Sequence, residues 1–298
     1  MKTDLLALWA WEFDAHFVRR LGAACERARV SMLAVDGADM ASLAKRLVSG
    51  DIDATAVLDR VWDWGGEYES HVPAVQTHVP LPLNDYARVR AIWNKPYAHY
   101  LLMDHGLRVP HLVILPSLEK EPAIKPKNLA AIAQHISVKG AHSGGSGVLL
   151  PVRTWAEIEA RRHEWPADET LLQEWIEPRL LGGRRAWFRV FYACGAVYPC
   201  WQDDRTHIQQ AITASEERLF GLDRLRGITQ QIATLCGLNV FSTEIALDDQ
   251  NRWVVVDYIN DPPDFRLKST VSNGVPDDIV DAVADRIAAW VKRRRPMR

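Results

Sequence analysis

The sequence predicts an α/β fold that turns α+β in its C-terminal part, and three features carry that reading. Short apolar runs alternate with segments of helical spacing over roughly the first 80 residues, the pattern of a small parallel sheet covered by helices. A lysine-ended strand at 136–139 then runs into a turn rich in glycine and serine. Beyond it, strand-like segments dominate from 171 to 259, and an amphipathic helix follows at 276–291.

The first strand, 5–11, is an almost unbroken apolar run, as a strand buried on both faces requires. Residues 14–29 set Phe17, Val18, Leu21 and Cys25 at helical spacing. Residues 30–35 read as a second strand, 41–48 as a helix and 54–62 as a third strand that ends in the loop Trp64-Gly65-Gly66-Glu67. Pro73, Pro80 and Pro82 punctuate a boundary, so residues 1–83 are expected to form a first unit.

A helix runs from Asp85 through Ile92 and a second over 98–105, with Gly106 at the C-cap and Pro110 beyond it. A strand at 111–115, a polar connection at 119–127, a hairpin of 136–139 with 148–152, and a helix at 155–165 complete a second unit, 84–170. The third unit, 171–298, holds strands at 171–176, 186–193 and 196–201, a helix at 221–236 and strands at 240–247 and 252–259. It closes with a helix that puts Ile279, Val280, Val283, Ile287 and Val291 on one face. No internal repeat is present, and most of the 12 tryptophans fall in strands or on helix faces, where core packing is their usual use.

Composition narrows the function classes. With 298 residues, 48% of them hydrophobic and 25% charged, the chain can build real cores. Lys plus Arg number 36 against 38 Asp plus Glu, a net charge of −2, which argues against broad electrostatic capture of nucleic acid. Cys25, Cys194, Cys200 and Cys236 are scattered without a CxxC pair and read as reduced core thiols. The first residues carry one lysine and meet acids within a short apolar run, unlike a secretory signal. No stretch approaches the ~20 apolar residues of a membrane span. A soluble, cytoplasmic protein with no membrane or nucleic-acid partner is expected.

Four stretches carry chemistry. In the first, Lys139 ends a strand and Ser143, Gly144, Gly145, Ser146 and Gly147 follow; glycines allow close approach of backbone N–H groups to a phosphate, and the lysine adds a point charge. A P-loop would place its glycines before Lys-Ser/Thr and a helix after it, and a protein kinase would place its glycine loop before the lysine; neither order holds. A flexible hairpin tip with a surface lysine accounts for this stretch equally well. The second is Asn94-Lys95 ahead of Gly106-Leu107-Arg108-Val109-Pro110, which alone is a capped helix with a surface lysine. The third is Gln173-Glu174-Trp175-Ile176-Glu177, a strand end that turns polar.

The fourth joins Glu244 to Asp257 and Asn260. The turn-rich link 248–251 makes their strands an antiparallel hairpin; with a link of two or four residues Glu244 faces Val255, and Asp257 lies on the same face one diagonal step away. Two acids on one buried face repel unless a cation lies between them, and oxygen donors of this kind suit Mg²⁺. A salt-bridged or solvent-facing pair is the other reading.

In this order the four stretches resemble the ATP-grasp superfamily, which includes D-alanine–D-alanine ligase, glutathione synthetase and the ribosomal-protein glutamate ligases, and the resemblance spans nearly the whole chain. It implies an α/β pre-domain at 1–83 and two lobes, 84–170 and 171–298, that clamp ATP. It implies that Lys95 and Lys139 contact the phosphates, that Ser143 to Gly147 close over them, and that Glu174, Trp175 and Ile176 meet the adenine. Glu244, Asp257 and Asn260 would hold Mg²⁺ or Mn²⁺, and Arg189 would lie near the transferred phosphate and acyl group.

Two departures stand out. The superfamily usually writes its second acid and asparagine as Glu-x-Asn, whereas Asp257-Tyr258-Ile259-Asn260 is one residue longer, so either a bulge realigns Asn260 or Tyr258 takes the acid's place. Trp187 stands where an acid for the ribose is common, with Glu177 as a substitute.

The resemblance implies an ATP-dependent carboxylate–amine or carboxylate–thiol ligase working through an acylphosphate on small-molecule substrates, with Arg189 and Arg266 stabilising an oxyanion. A homodimer is common among relatives. The alternatives are a small-molecule kinase, favoured if Arg179, Arg184, Arg185 and Arg205 formed a polyphosphate grip, and a nucleotide-binding scaffold without turnover. His99, His105 and His142 read as isolated, His142 as a solvated loop residue or a phosphate contact. His207 with Asp203 and Asp204 reads as a polar loop rather than a metal cluster, and Lys268 as a weaker substrate contact than Arg266.

Overall fold

A computed structural model describes residues 1–124, 136–142 and 152–295. The chain opens with β1 (Lys2–Trp9), α1 (Ala15–Ala28), β2 (Met32–Asp36), α2 (Met40–Val48), β3 (Asp53–Arg60), α3 (Gly66–His78) and β4 (Leu81–Pro82). The four strands form a parallel sheet in the order β2-β1-β3-β4. Leu5, Leu6 and Leu8 of β1 are fully buried, which is why this strand reads as continuous apolar sequence rather than as alternation. α1 buries Phe17, Val18, Leu21, Ala24 and Cys25 and stops at Arg29, whose left-handed φ of 57° lets its N–H return to the carbonyls of Cys25 and Glu26.

α3 corrects an expectation. Residues 64–67 and Pro73 suggest a loop and a boundary, yet a helix begins at Gly66 and carries Pro73 inside it. Two glycines with positive φ (Gly65 at 64°, Gly66 at 54°) and an internal proline erase the usual helix signal, and only Val72 and Val75 turn inward.

Next come α4 (Tyr86–Trp93), α5 (Lys95–Asp104), β5 (Leu112–Leu115), β6 (Ile136–Gly140), α6 (Trp155–Arg162) and β7 (Thr170–Glu174). Asp85 caps α4 by accepting from the Arg88 N–H; Asn94 caps α5 by accepting from the Tyr97 N–H, with Pro96 in the first turn. β5, β7 and β6 make an antiparallel sheet in that order, over a small core of Leu115, Ile136, Val138, Val152, Ile158 and Leu172. An antiparallel bridge from Ile136 to Val152 is the described end of the expected hairpin; Ser143, Gly144, Gly145, Ser146 and Gly147 lie outside the described residues.

The remainder comprises β8 (Leu180–Leu181), β9 (Arg184–Arg185), β10 (Trp187–Ala193), β11 (Ala196–Gln202), β12 (Gln209–Ala211), α7 (Ala214–Phe220), α8 (Arg224–Cys236), β13 (Val240–Leu247), β14 (Trp253–Asn260) and α9 (Asp277–Arg294). Five of these strands build an antiparallel sheet in the order β12-β11-β10-β13-β14. The helix expected from 221 is preceded by α7, an amphiphile with no buried residue. Gly221, at φ 64°, ends α7 rather than starting α8.

α9 lies between α1 and the five-stranded sheet: Ile279, Val280, Val283, Ile287 and Val291 share a core with Phe17 and Leu21 of α1 and Phe191 of β10. Arg20 pairs with Asp277 (2.9 Å) and Asp281 (2.5 Å) across the same seam. A second core is continuous from Leu6 and Val57 of the parallel sheet to Phe188, Phe241 and Tyr258 of the antiparallel one. The two sheets are thus held by shared apolar burial, and the three-stranded sheet faces them across a cleft. Among the described residues, no helix is long and apolar enough to cross a membrane.

Candidate functional site

The cleft has a volume of about 720 Å³ and takes residues from the three-stranded and five-stranded antiparallel sheets, from the α4–α5 turn and, beyond the end of β3, Asp63. Lys95, Lys139, Glu174, Trp175, Ile176, Arg189, Glu244, Asp257, Asn260 and Arg266 all line it.

The lysines are brought together by local bonding. Lys95 opens α5, and its backbone N–H donates to the Ala141 carbonyl (3.1 Å), just past the strand that carries Lys139. His142 completes the stitch: its Nδ1–H donates to Asp168 Oδ1 (2.9 Å), its backbone N–H donates to Asp168 Oδ2 (2.7 Å), and its Nε2 accepts from Asn94 Nδ2 (3.0 Å), a tautomer assigned from those partners. His142 is therefore a brace between two elements, not a solitary loop histidine. Burial, aided by the Lys139 ammonium, pulls the Lys95 amine below its ordinary value against the opposing pull of Asp257 and Asp168.

The acids converge on the same point. Arg189 of β10 pairs in register with Glu244 of β13, which pairs with Asp257 of β14, so the three side chains form one row across the sheet. This corrects the expected diagonal: Glu244 faces Asp257, not Val255. The pairing Ile245 with Val255 gives way to Glu244 with Asp257 through one extra residue, and a second irregularity brings Asn260 opposite Ser242. That second bulge answers the longer Asp257–Asn260 spacing. The Asn260 Nδ2 donates to Asp257 Oδ2 at 2.9 Å, which places both on the cleft side.

Tyr258 is 4% exposed and its hydroxyl meets His99 Nδ1 of α5 at 2.7 Å, whereas the strand register puts Asp257 opposite Glu244. Burial pushes the Asp257 carboxyl up, but the ammonium groups of Lys139 and Lys95, the Arg189 guanidinium and the Asn260 amide together hold it below the usual carboxylate range. His99 itself is pulled down to about 4 by burial and by His111.

Glu244 is held on both oxygens. Trp187 Nε1–H donates to Oε2 (3.0 Å), Gln202 Nε2 donates to Oε1 (2.9 Å), and Arg189 Nη1 lies 3.4 Å from Oε1. Sequence reasoning missed Gln202; alternation along β11 from Cys200, which pairs with Arg189, was the signal that could have found it. Asp63, Trp93, Asp204 and His207 also line the cleft without belonging to any motif.

The remaining candidates divide. Glu174 accepts from the His111 N–H (3.0 Å), and Ile176 packs with Ala246, Val254 and Val256 under Trp187, so the hinge bridges the two sheets. Arg266 is fixed by a two-toothed bond to Asp264 (2.7 and 2.9 Å) and lies over the Trp11 ring. Glu177 stands off the cleft lining, largely exposed, with Arg185 holding its carboxyl below the usual range. Lys268, also off the lining, donates to the Gln209 carbonyl.

Asp203 caps the turn at Arg205 and Thr206, and Asp204 binds Arg185 through both oxygens, so the loop with His207 is a polar loop. Among the described residues no group of three or more His, Cys, Asp or Glu side chains is placed to hold a metal ion; the candidate set here is two acids and an amide.

No family model matches the chain, and no curated protein sequence matches it. Solved structures do. The chain is similar to the ATP-grasp ligase PsnB complexed with a minimal precursor, Mg and ADP, at 17% identity over 97% of this chain and 99% of that one, with a TM-score of 0.66. A RimK-domain ATP-grasp protein from Sphaerobacter thermophilus matches at 20% identity over 96% and 98%, TM-score 0.66. D-alanine–D-alanine ligase from Bacillus anthracis complexed with ATP matches at 12% identity over 99% and 97%, TM-score 0.67. From end to end, this chain has the ATP-grasp fold.

Proposed function

We propose that the protein is an ATP-dependent ligase that joins a carboxylate to an amine or thiol through an acylphosphate, with residues 1–83 backing two lobes, 84–170 and 171–298. One observation supports this above the rest: Lys95, Lys139 and Arg189 all act on a single carboxylate, Asp257, which stands directly opposite Glu244 in one cleft. A patch of three cations around two acids has the charge pattern of a site for a polyphosphate with a divalent ion.

The donors fit that ion. Carboxylate and amide oxygens are hard ligands of the type Mg²⁺ and Mn²⁺ take, and Asn260 donates its amide N–H to Asp257, while its amide oxygen accepts no hydrogen bond among the described residues. When bound, the ion neutralises charge on the β- and γ-phosphates. Lys95 and Lys139 bind and orient the phosphates. In a buried cleft the field of these ammonium groups is screened less than in water, so it acts more strongly on the phosphates. Glu174, Trp175 and Ile176 offer a hinge wall to the adenine. Arg189 and Arg266 face the same cleft, where they can stabilise the oxyanion formed when the amine adds to the acylphosphate. Expulsion of phosphate then leaves the amide.

The kinase alternative would draw on Arg179, Arg184, Arg185 and Arg205 as a grip; Arg185 is bound to Asp204 and Glu177, Arg184 to Glu216, and Arg179 to Asn251, which favours the ligase reading over it. The scaffold alternative rested on the longer Asp257–Asn260 spacing, which the bulge accommodates. A coupled ADP-release assay over pools of acids, amines and peptides tests the proposal; peptides are included because one similar structure, PsnB, is complexed with a precursor peptide. ADP and phosphate that appear only with both acid and amine, and vanish in Lys139→Ala, support ligation. ADP release with a hydroxyl compound and no free phosphate refutes it.

A further inference from the structure

We propose that Trp187 and Gln202 are positioning residues for Glu244: two neutral N–H donors hold its carboxylate ready for a divalent ion. The inference rests on the metal reading of the site and adds to it the residues that orient one ligand.

A carboxylate has about four lone-pair sites on its two oxygens. Trp187 Nε1–H occupies one on Oε2 at 3.0 Å and Gln202 Nε2 one on Oε1 at 2.9 Å, which leaves acceptor capacity on both oxygens. Both donors come from rigid places. Gln202 ends β11 and is 3% exposed; Trp187 opens β10 and packs against the cluster of Ile176, Ala246, Val254 and Val256. Their register is set by the sheet, so the carboxylate loses rotamer freedom before any ion arrives.

The two holding donors are neutral, so they fix the carboxylate without adding positive charge to it. Arg189 is the only cation paired with Glu244 among the described residues, and its Nη1 sits at 3.4 Å from Oε1, beyond a good N–H···O distance, so the geometry of the carboxylate is set by Trp187 and Gln202 rather than by the guanidinium.

The test uses Trp187→Phe and Gln202→Leu, which remove one donor each at similar shape, in the full-length protein. Mn²⁺ binding to the ADP complex is followed by electron paramagnetic resonance, and ADP binding is measured in a chelator by calorimetry. Each variant is expected to weaken Mn²⁺ binding about tenfold, the usual effect of removing a hydrogen bond behind a metal ligand, with ADP binding in chelator unchanged. Unchanged Mn²⁺ affinity in both variants overturns the proposal, as does an equal loss of ADP binding in chelator, which would mark a purely structural role. Should one variant fail to fold, the other alone decides between these outcomes. A parent protein that binds ADP but no Mn²⁺ overturns the metal reading itself and the positioning with it, whereas failure confined to the variants overturns the positioning alone.

Discussion

Replacing Tyr258 by Phe removes one hydroxyl, and the structure sets what that costs. Tyr258 and His99 are each 4% exposed and meet at 2.7 Å, joining β14, which carries Asp257, to α5, which begins at Lys95. The variant strands a buried imidazole nitrogen, so it should lose about 1–3 kcal/mol at pH 7.5, the cost of an unmade buried hydrogen bond. A pH dependence separates this from general damage. His99 titrates near 6.5 when unfolded and is pulled down to about 4 by burial. A depressed histidine favours the unfolded state as pH falls below 6.5, because only the unfolded chain takes up the proton. Between pH 7.5 and 5 this withdraws at most about 2 kcal/mol of stability.

His99→Gln, which keeps polar groups but cannot titrate, should therefore be less pH-sensitive than the parent by that amount. Urea unfolding at both pH values reads the difference, and comparison with the parent cancels Asp59 and Asp63. Burial lifts those carboxyls to about 6 and about 7, so their contribution is lost in the opposite direction, as pH rises. A Tyr258→Phe variant as stable as the parent, or a His99→Gln variant with the parent's pH slope, refutes the reasoning.

Three further outcomes follow. Lys139→Ala removes a cation from the phosphates and should weaken ADP binding by about 10- to 150-fold, the worth of a charge-assisted hydrogen bond, as measured by calorimetry. Asp59→Asn replaces a carboxyl that is costly to ionise, so unfolding experiments should find it up to about 3 kcal/mol more stable at pH 8 and nearly neutral at pH 4. Ile287→Ala opens a cavity in the fully buried face of α9 and should cost about 2–5 kcal/mol by the same method, with ADP affinity unchanged.

What was legible in the chain was what obeys a period. β1 and α1 show their burial in sequence because sheet and helix geometry force a spacing on the apolar residues, and the order of Lys95, Lys139, Glu174, Glu244 and Asp257 survived as short motifs. What was hidden depends on events that leave no period. Pro73 masked α3, since a proline inside a helix is held there by packing alone. Asp257 stands opposite Glu244 because Leu247 pairs with Trp253 rather than Arg252 and one bulge then adds a further residue, and no count of link residues foretells a bulge. Glu177 looked available in sequence, but Arg185 reaches it from eight residues on and ties it outside the cleft. Gln202 acquires its role only when a neighbouring strand delivers Glu244 beside it.

The central claim is that two amines and an acid pair gather on one triphosphate. An acyl-phosphate derivative of ATP, which transfers its acyl group to lysine amines lying against the phosphates, tests this most directly. After digestion, mass spectrometry should find the label on both Lys95 and Lys139, with protection by excess ATP and Mg²⁺ and reduced protection in Asp257→Asn. Label on neither lysine, or label that ATP does not displace, would contradict the account.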